Sequence, residues 1–122
     1  MKNLLLITIS LLLCSFNVYQ ADKHLMFIPS EIIYADGFTQ TANHEIYILD
    51  NNKMTVFNRY KDTVEEYEFQ NVYEETQRYK KSMTAYKIDK GVIEIHKQND
   101  KIYSITIYYK GSYIKYIQYK TR

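Results

Sequence analysis

The side chains best suited to do chemistry in this chain are its three histidines, His24, His44 and His96. A zinc site needs three or four ligands converging on one point. These histidines are widely spaced, and His96 lies two positions from a carboxylate, Glu94 in "VIEIHK". In a strand, residues two apart share a face. The pair could therefore hold a metal or relay a proton, and a solvated strand face is the plainer account. His44 beside Glu45 at a strand start carries less meaning still.

Other chemistries lack their parts. Ser30, Ser82, Ser104 and Ser112 sit in no Gly-x-Ser-x-Gly elbow. Three scattered glycines cannot form a phosphate-cradling loop. The doublets Glu65–Glu66 and Glu74–Glu75 face apart in a strand or a helix, so neither is an acid–base pair alone. Asp50, Asn51 and Asn52 lack the Gly and the distal Glu of a calcium loop and read as a turn. The expectation is a non-catalytic protein with no metal and no cofactor.

The elements that would carry these residues are strands. Apolar and polar residues alternate in "HEIYILD", with Ile46 and Ile48 on one face, and again in "KMTVFN", with Met54 and Val56. The two make a hairpin across Asn51–Asn52. "HLMFIP" reads as a strand stopped near Pro29. "EIIYADG" ends in an Asp36–Gly37 turn, and residues 38–44 read as polar loop. From Met83 four strands follow in a meander, with turns at Asp89–Gly91, Gln98–Asp100 and Lys110–Gly111. Their inner faces are assigned to Ile93 and Ile95, to Tyr103, Ile105 and Ile107, and to Ile117 on the return. The glycines fall at turns, where positive φ is wanted.

Residues 62–82 are ambiguous. Thr63 with Glu66 has capping-box spacing, and Glu74 with Arg78 would pair on a helix, which allows one helix over 63–80. Val64, Tyr67, Phe69, Val72 and Tyr73 keep no clean helical stripe, so strands are preferred. The fold class expected is all-β: an antiparallel meander closing into a small barrel or a two-sheet sandwich.

The first residues stand apart. Lys2 precedes the apolar run Leu4–Phe16, too short to span a bilayer and placed like a signal core. This sets residues 1–21 as a signal peptide cleaved after Ala21, with Ser15 as a second choice, and 22–122 as one β-rich domain. "LLLC" resembles a lipoprotein box, but Leu13 stands where a small residue belongs, so lipid anchoring through Cys14 is the lesser alternative. The expected compartment is secreted or periplasmic. Loss of Cys14 with the leader removes disulfides and thiol chemistry. The remainder carries 15 Lys and Arg against 14 Asp and Glu, which gives no reason for a nucleic-acid partner.

Charge and aromatics are unevenly placed. Six acids fall between Asp62 and Glu75, whereas "KIYSITIYYKGSYIKYIQYK" at 101–120 holds six tyrosines and no acid. The two segments either complement each other internally or leave a basic, tyrosine-lined surface. The residues assigned to such a ligand or partner surface are Tyr108, Lys110, Tyr113, Lys115, Tyr116 and Tyr119. Tyrosine suits the role because its ring packs while its hydroxyl bonds.

A leader followed by about 100 residues of β-hairpins resembles small lipocalin-like or inhibitor-like periplasmic β-domains in outline only. The reading that results is an exported, non-catalytic β-domain binding a protein partner or a small apolar ligand. The alternatives are an envelope-associated component that adds its last, edge-exposed strand to another sheet, and a small hydrolase or isomerase using His96.

Overall fold

A computed structural model describes residues 24–49 and 52–119. The signal segment, Cys14 and part of the Asp50–Asn52 turn lie outside the described residues. The described chain is all-β, with no helix. Its strands are β1 (His24–Phe27), β2 (Glu31–Tyr34), β3 (Thr39–Thr41), β4 (His44–Leu49), β5 (Lys53–Asn58) and β6 (Thr63–Glu68), then β7 (Asn71–Arg78), β8 (Lys81–Ile88), β9 (Gly91–Gln98), β10 (Lys101–Tyr109) and β11 (Ser112–Ile117).

These form two antiparallel sheets, one of four strands in the order β1-β4-β5-β6 and one of seven in the order β3-β2-β11-β10-β9-β8-β7. The ladders do not close into a barrel. Residues 38–44, expected to be loop, contain the short strand β3, which pairs with β2. The helix considered over 63–80 is absent: its residues form β6 and β7, paired to β5 and β8. Ladder hydrogen bonds and the inward placement of Tyr67 and Phe69 outweigh one capping box and one i,i+4 pair, worth only tenths of a kcal/mol to about 1–2 kcal/mol.

Both sheets contribute to one core. Phe27, Ile46, Ile48, Met54 and Val56 come from the smaller sheet, and Ile32, Tyr86, Ile88, Ile93, Ile95, Ile105, Ile107 and Tyr116 from the larger. The chain crosses between sheets at short links. Pro29, buried and lacking an N–H, ends β1, and Ser30 then donates its N–H to Ile117 O at 2.8 Å. The link after β6 bonds Phe69 N–H to Asn52 O and Gln70 N–H to Lys87 O, one sheet each. Phe69 stacks on Tyr86 there, centroids 4.2 Å apart and 8° from parallel.

Inner faces follow the expected alternation with two exceptions. A β-bulge between Ile102 and Ser104 puts an extra residue in β10. Ile102 consequently packs against the core, whereas Tyr103 lies beside His96 on the outer face, ring centroids 6.0 Å apart. On β11 the inward residues are Ile114 and Tyr116; Ile117 pairs with Ser104 and faces outward.

The five glutamates of 62–75 sit on sheet edges, and Asp62 lies in the β5–β6 turn. β6 borders the smaller sheet with Glu65, Glu66 and Glu68, and β7 borders the larger with Glu74 and Glu75. Charge on an edge strand blocks its unpaired backbone from docking on another sheet. The last strand, β11, is no edge: it pairs with β10 on one side and β2 on the other, which removes it as a strand for addition.

Gly91 has a role the turn assignment did not anticipate. Gly37 and Gly111 take positive φ, 89° and 71°, and Gly91 does not. It opens β9 opposite Tyr109, where an added Cβ would collide with the Tyr108 carbonyl oxygen, a backbone atom.

Two predictions follow from these packing arguments. Gly91→Ala should destabilise by at least the about 1–3 kcal/mol typical of overpacking, lowering Tm by about 4–8 °C per kcal/mol, measured by thermal unfolding. An unchanged Tm would contradict the close approach. The combined Glu66→Thr, Glu68→Thr, Glu74→Thr variant should keep its fold while associating with rising concentration in light scattering. A variant as monodisperse as the parent would refute the edge-guard role.

Candidate ligand-binding site

The larger sheet has one face on the core and one face outward. Across its centre, register places Lys115, Thr106, Glu94 and Ala85 in one row, and Tyr113, Tyr108, Val92 and Lys87 in the next. Ser104, Thr106 and Ala85 are buried under their larger neighbours and form a small-residue floor.

On this floor Glu94 gathers two donors. Its Oε1 lies 3.0 Å from His96 Nε2 and accepts the Tyr108 hydroxyl at 3.3 Å. Burial, then the Glu94 charge, raises the Tyr108 hydroxyl above its ordinary range. His96 and Glu94 thus share a face and touch, as their spacing suggests. Five clefts of about 270–520 Å³ are lined by described residues, and neither Glu94 nor His96 lines any of them. Among the described residues no group of three His, Cys, Asp or Glu could hold a metal ion.

The six residues assigned to a recognition surface are divided by the fold. Tyr108 and Tyr113 stand opposite each other in register, ring centroids 5.9 Å apart. Lys115 follows on the same face, and Lys110 is exposed in the β10–β11 turn. Tyr119 is exposed beyond the far end of β11, its hydroxyl donating to Glu31 at 2.8 Å. Tyr116 is not on the surface. It points inward, 6% exposed, with its ring edge-on to His44 at 5.4 Å. Burial, reinforced by Glu65, pushes its hydroxyl far above the ordinary tyrosine range.

A better-formed concavity lies next to Tyr113. It is an open cleft of about 520 Å³ between the β2–β3 and β10–β11 hairpins, lined by Tyr34, Ala35, Asp36, Phe38 and Gln40 from the first and by Ser112, Tyr113 and Ile114 from the second. Phe38 is 60% exposed and its ring lies 6.0 Å from that of Tyr34. A tight turn holds it there. Phe38 N–H donates to Asp36 Oδ1 at 2.9 Å, Gly37 N–H to Tyr34 O at 2.9 Å, and Tyr34 N–H to Phe38 O at 2.9 Å. Gly37 supplies the positive φ. The sequence reading passed over Phe38 as part of a polar loop. The available signal was "YADGF", an aromatic directly after a tight-turn dipeptide.

The acidic and basic segments meet through rings. Tyr67 of β6 lies 6.5 Å from Tyr109 of β10, centroid to centroid, and donates its hydroxyl to Glu65 at 2.5 Å. Burial, then the bonds to Glu65 and Tyr109, pushes the Tyr67 hydroxyl well above its ordinary range. Among the described residues, the ion pairs seen are Arg59–Glu45 at 3.8 Å and His96–Glu94; neither joins the two segments.

No family model, no curated protein and no solved structure matches this chain.

His44 supplies a pH prediction. Its Nδ1 is buried without a hydrogen-bond partner, and desolvation lowers its pKa, opposed by Glu65 and aided by Lys61. The folded protein therefore binds fewer protons here than the unfolded chain, whose histidine titrates near about 6.5. This contribution is complete above that pH and is lost as pH falls through the lower folded value. Tm should drop from about pH 6.5 towards 5, and His44→Gln should flatten that slope relative to the parent. Parallel slopes would rule out the linkage.

Proposed function

We propose that this protein is an exported, non-catalytic binding domain, secreted or periplasmic, whose recognition surface is the corner where the β2–β3 and β10–β11 hairpins meet. One observation carries the reading. Phe38 and Tyr113, from two different hairpins, both line a cleft of about 520 Å³, and Tyr113 is paired ring to ring with Tyr108 on the outward sheet face. That volume lies within the range of about 300–1,000 Å³ usual for small-ligand sites. Paired strands and a hydrogen-bonded turn hold the backbone that carries these three residues, so little backbone order is lost on binding.

The ligand of this reading enters from the surface. The barrel-interior site of a lipocalin-like domain finds no support, since isoleucines from both sheets pack together in the interior. Lys110 and Lys115 flank the aromatic corner and add polar contacts at its margin. Tyr119 lies at the other end of β11 and has no part in it.

A photoreactive residue placed at 38 or 113 in the producing cells tests the reading. It should yield one discrete adduct, small or protein-sized. The same residue at Tyr79 should yield none: Tyr79 is 91% exposed on the β7–β8 turn, at the opposite end of the strands. Equal adducts from both places would show general stickiness and defeat the proposal.

A further inference from the structure

The core-facing side of the large sheet changes character toward β7. Register continues the buried Ile95 into Thr84 on β8 and Glu75 on β7, and Lys97 stands two residues beyond Ile95 on β9. Thr84, Glu75 and Lys97 therefore point to the same side as the buried isoleucines, yet none of them joins the core. They line a cleft of about 430 Å³, bordered on its other side by the link after β6. Phe69 of that link, stacked on Tyr86, lines it too. Burial, then the Glu75 charge, raises the Tyr86 hydroxyl above its ordinary range, which puts the Glu75 carboxylate within reach of that group.

Glu75 and Lys97 are the two charged residues lining this cleft, one of each sign. Neither forms an ion pair with a described residue. The neighbouring charges Glu74 and Lys87 are turned away, since register sets them beside Ala85 and Val92 on the outward face. Two strand spacings across and two residues along separate the Glu75 and Lys97 backbones by about 12 Å. Strand side chains stand roughly perpendicular to the sheet, so the two charges face one space at about that separation. An extended dipeptide is about 7 Å long, and a charge-assisted contact of about 3 Å at each end spans the gap. The Thr84 hydroxyl and the amides of Asn52, Gln70 and Asn71 supply donors and acceptors for a peptide group. A neutral sugar would use those amides and leave both charges unanswered. A simple anion or cation would meet one charge and be repelled by the other. We infer that this cleft binds a short peptide with both termini free, its ammonium on Glu75 and its carboxylate on Lys97. The site goes beyond the corner of Phe38 and Tyr113 and shares no lining residue with it.

Alanylalanine is the probe, titrated into the purified protein and followed through the backbone amides of residues 69–75, 84–86 and 97. It should move these amides. Acetylating its amino end or amidating its carboxyl end should each weaken binding by about fivefold or more, the worth of one charge-assisted contact. Glu75→Gln should erase the difference between the free and the acetylated peptide, and Lys97→Met that between the free and the amidated one. Glu75 is exposed and Lys97 half-buried, so both variants keep the core intact. Glu74→Gln, the adjacent carboxylate on the other face, should leave all affinities unchanged. Alanine, too short to reach both charges, should bind about fivefold or more weakly than the dipeptide. Amides that stay in place overturn the inference, as do capped peptides that bind as tightly as the free one. Alanine binding as tightly as alanylalanine overturns the peptide in favour of a single amino acid. An equal loss from Glu74→Gln and Glu75→Gln overturns the contact in favour of a general charge effect.

Discussion

Four residue pairs, from Tyr34 with Ile114 to Glu31 with Ile117, join the second strand of this protein to its last. The Ser30 amide extends the junction by donating to Ile117 O. Closing a loop across nearly the whole domain costs entropy that only later contacts repay. What repays it is the core: Ile32 and Tyr116, register partners across this junction, are both buried against isoleucines from the rest of the large sheet. The same junction sets the β2–β3 hairpin beside the β10–β11 hairpin. Without it Phe38 and Tyr113 would belong to separate surfaces, and no aromatic cleft would exist.

Two open sheets leave edges, and the distribution of charge answers them. A closed barrel would hide every edge. Here β6 and β7, joined by a two-residue link, each border a sheet and between them carry five glutamates. An acidic segment that suggested a long-range partner for the basic C-terminal hairpin is explained by its local position. Its contact with that hairpin is the Tyr67–Tyr109 ring pair, and the glutamates keep their charge for solvent.

Much of the fold was legible because strand alternation has a period of two and few exceptions here. Ile46, Ile48, Met54, Val56, Ile93, Ile95, Ile105 and Ile107 all face the core that their spacing assigns them. Errors arose where one residue shifts the phase. The bulge in β10 exchanged Tyr103 for Ile102, a change that flips side chains without altering composition. On β11, Tyr and Ile occupy both parities, so hydropathy could not choose a face, and Tyr116 was placed outside when it lies inside. Gly91 looked like a turn glycine and is a strand glycine, since its constraint is the backbone of a neighbouring strand.

The sequence by itself determined the secondary structure class, the hairpin order from Met83 onward, and the pairing of His96 with Glu94, because each depends on residues close along the chain. The tertiary structure alone decided which strands are edges, which tyrosines are accessible, and that Phe38 and Tyr113 line one cleft. Those outcomes depend on strand neighbours distant in sequence, and on a register that a single bulged residue resets. Local chemistry specifies each strand, whereas the site is a product of which strands become neighbours.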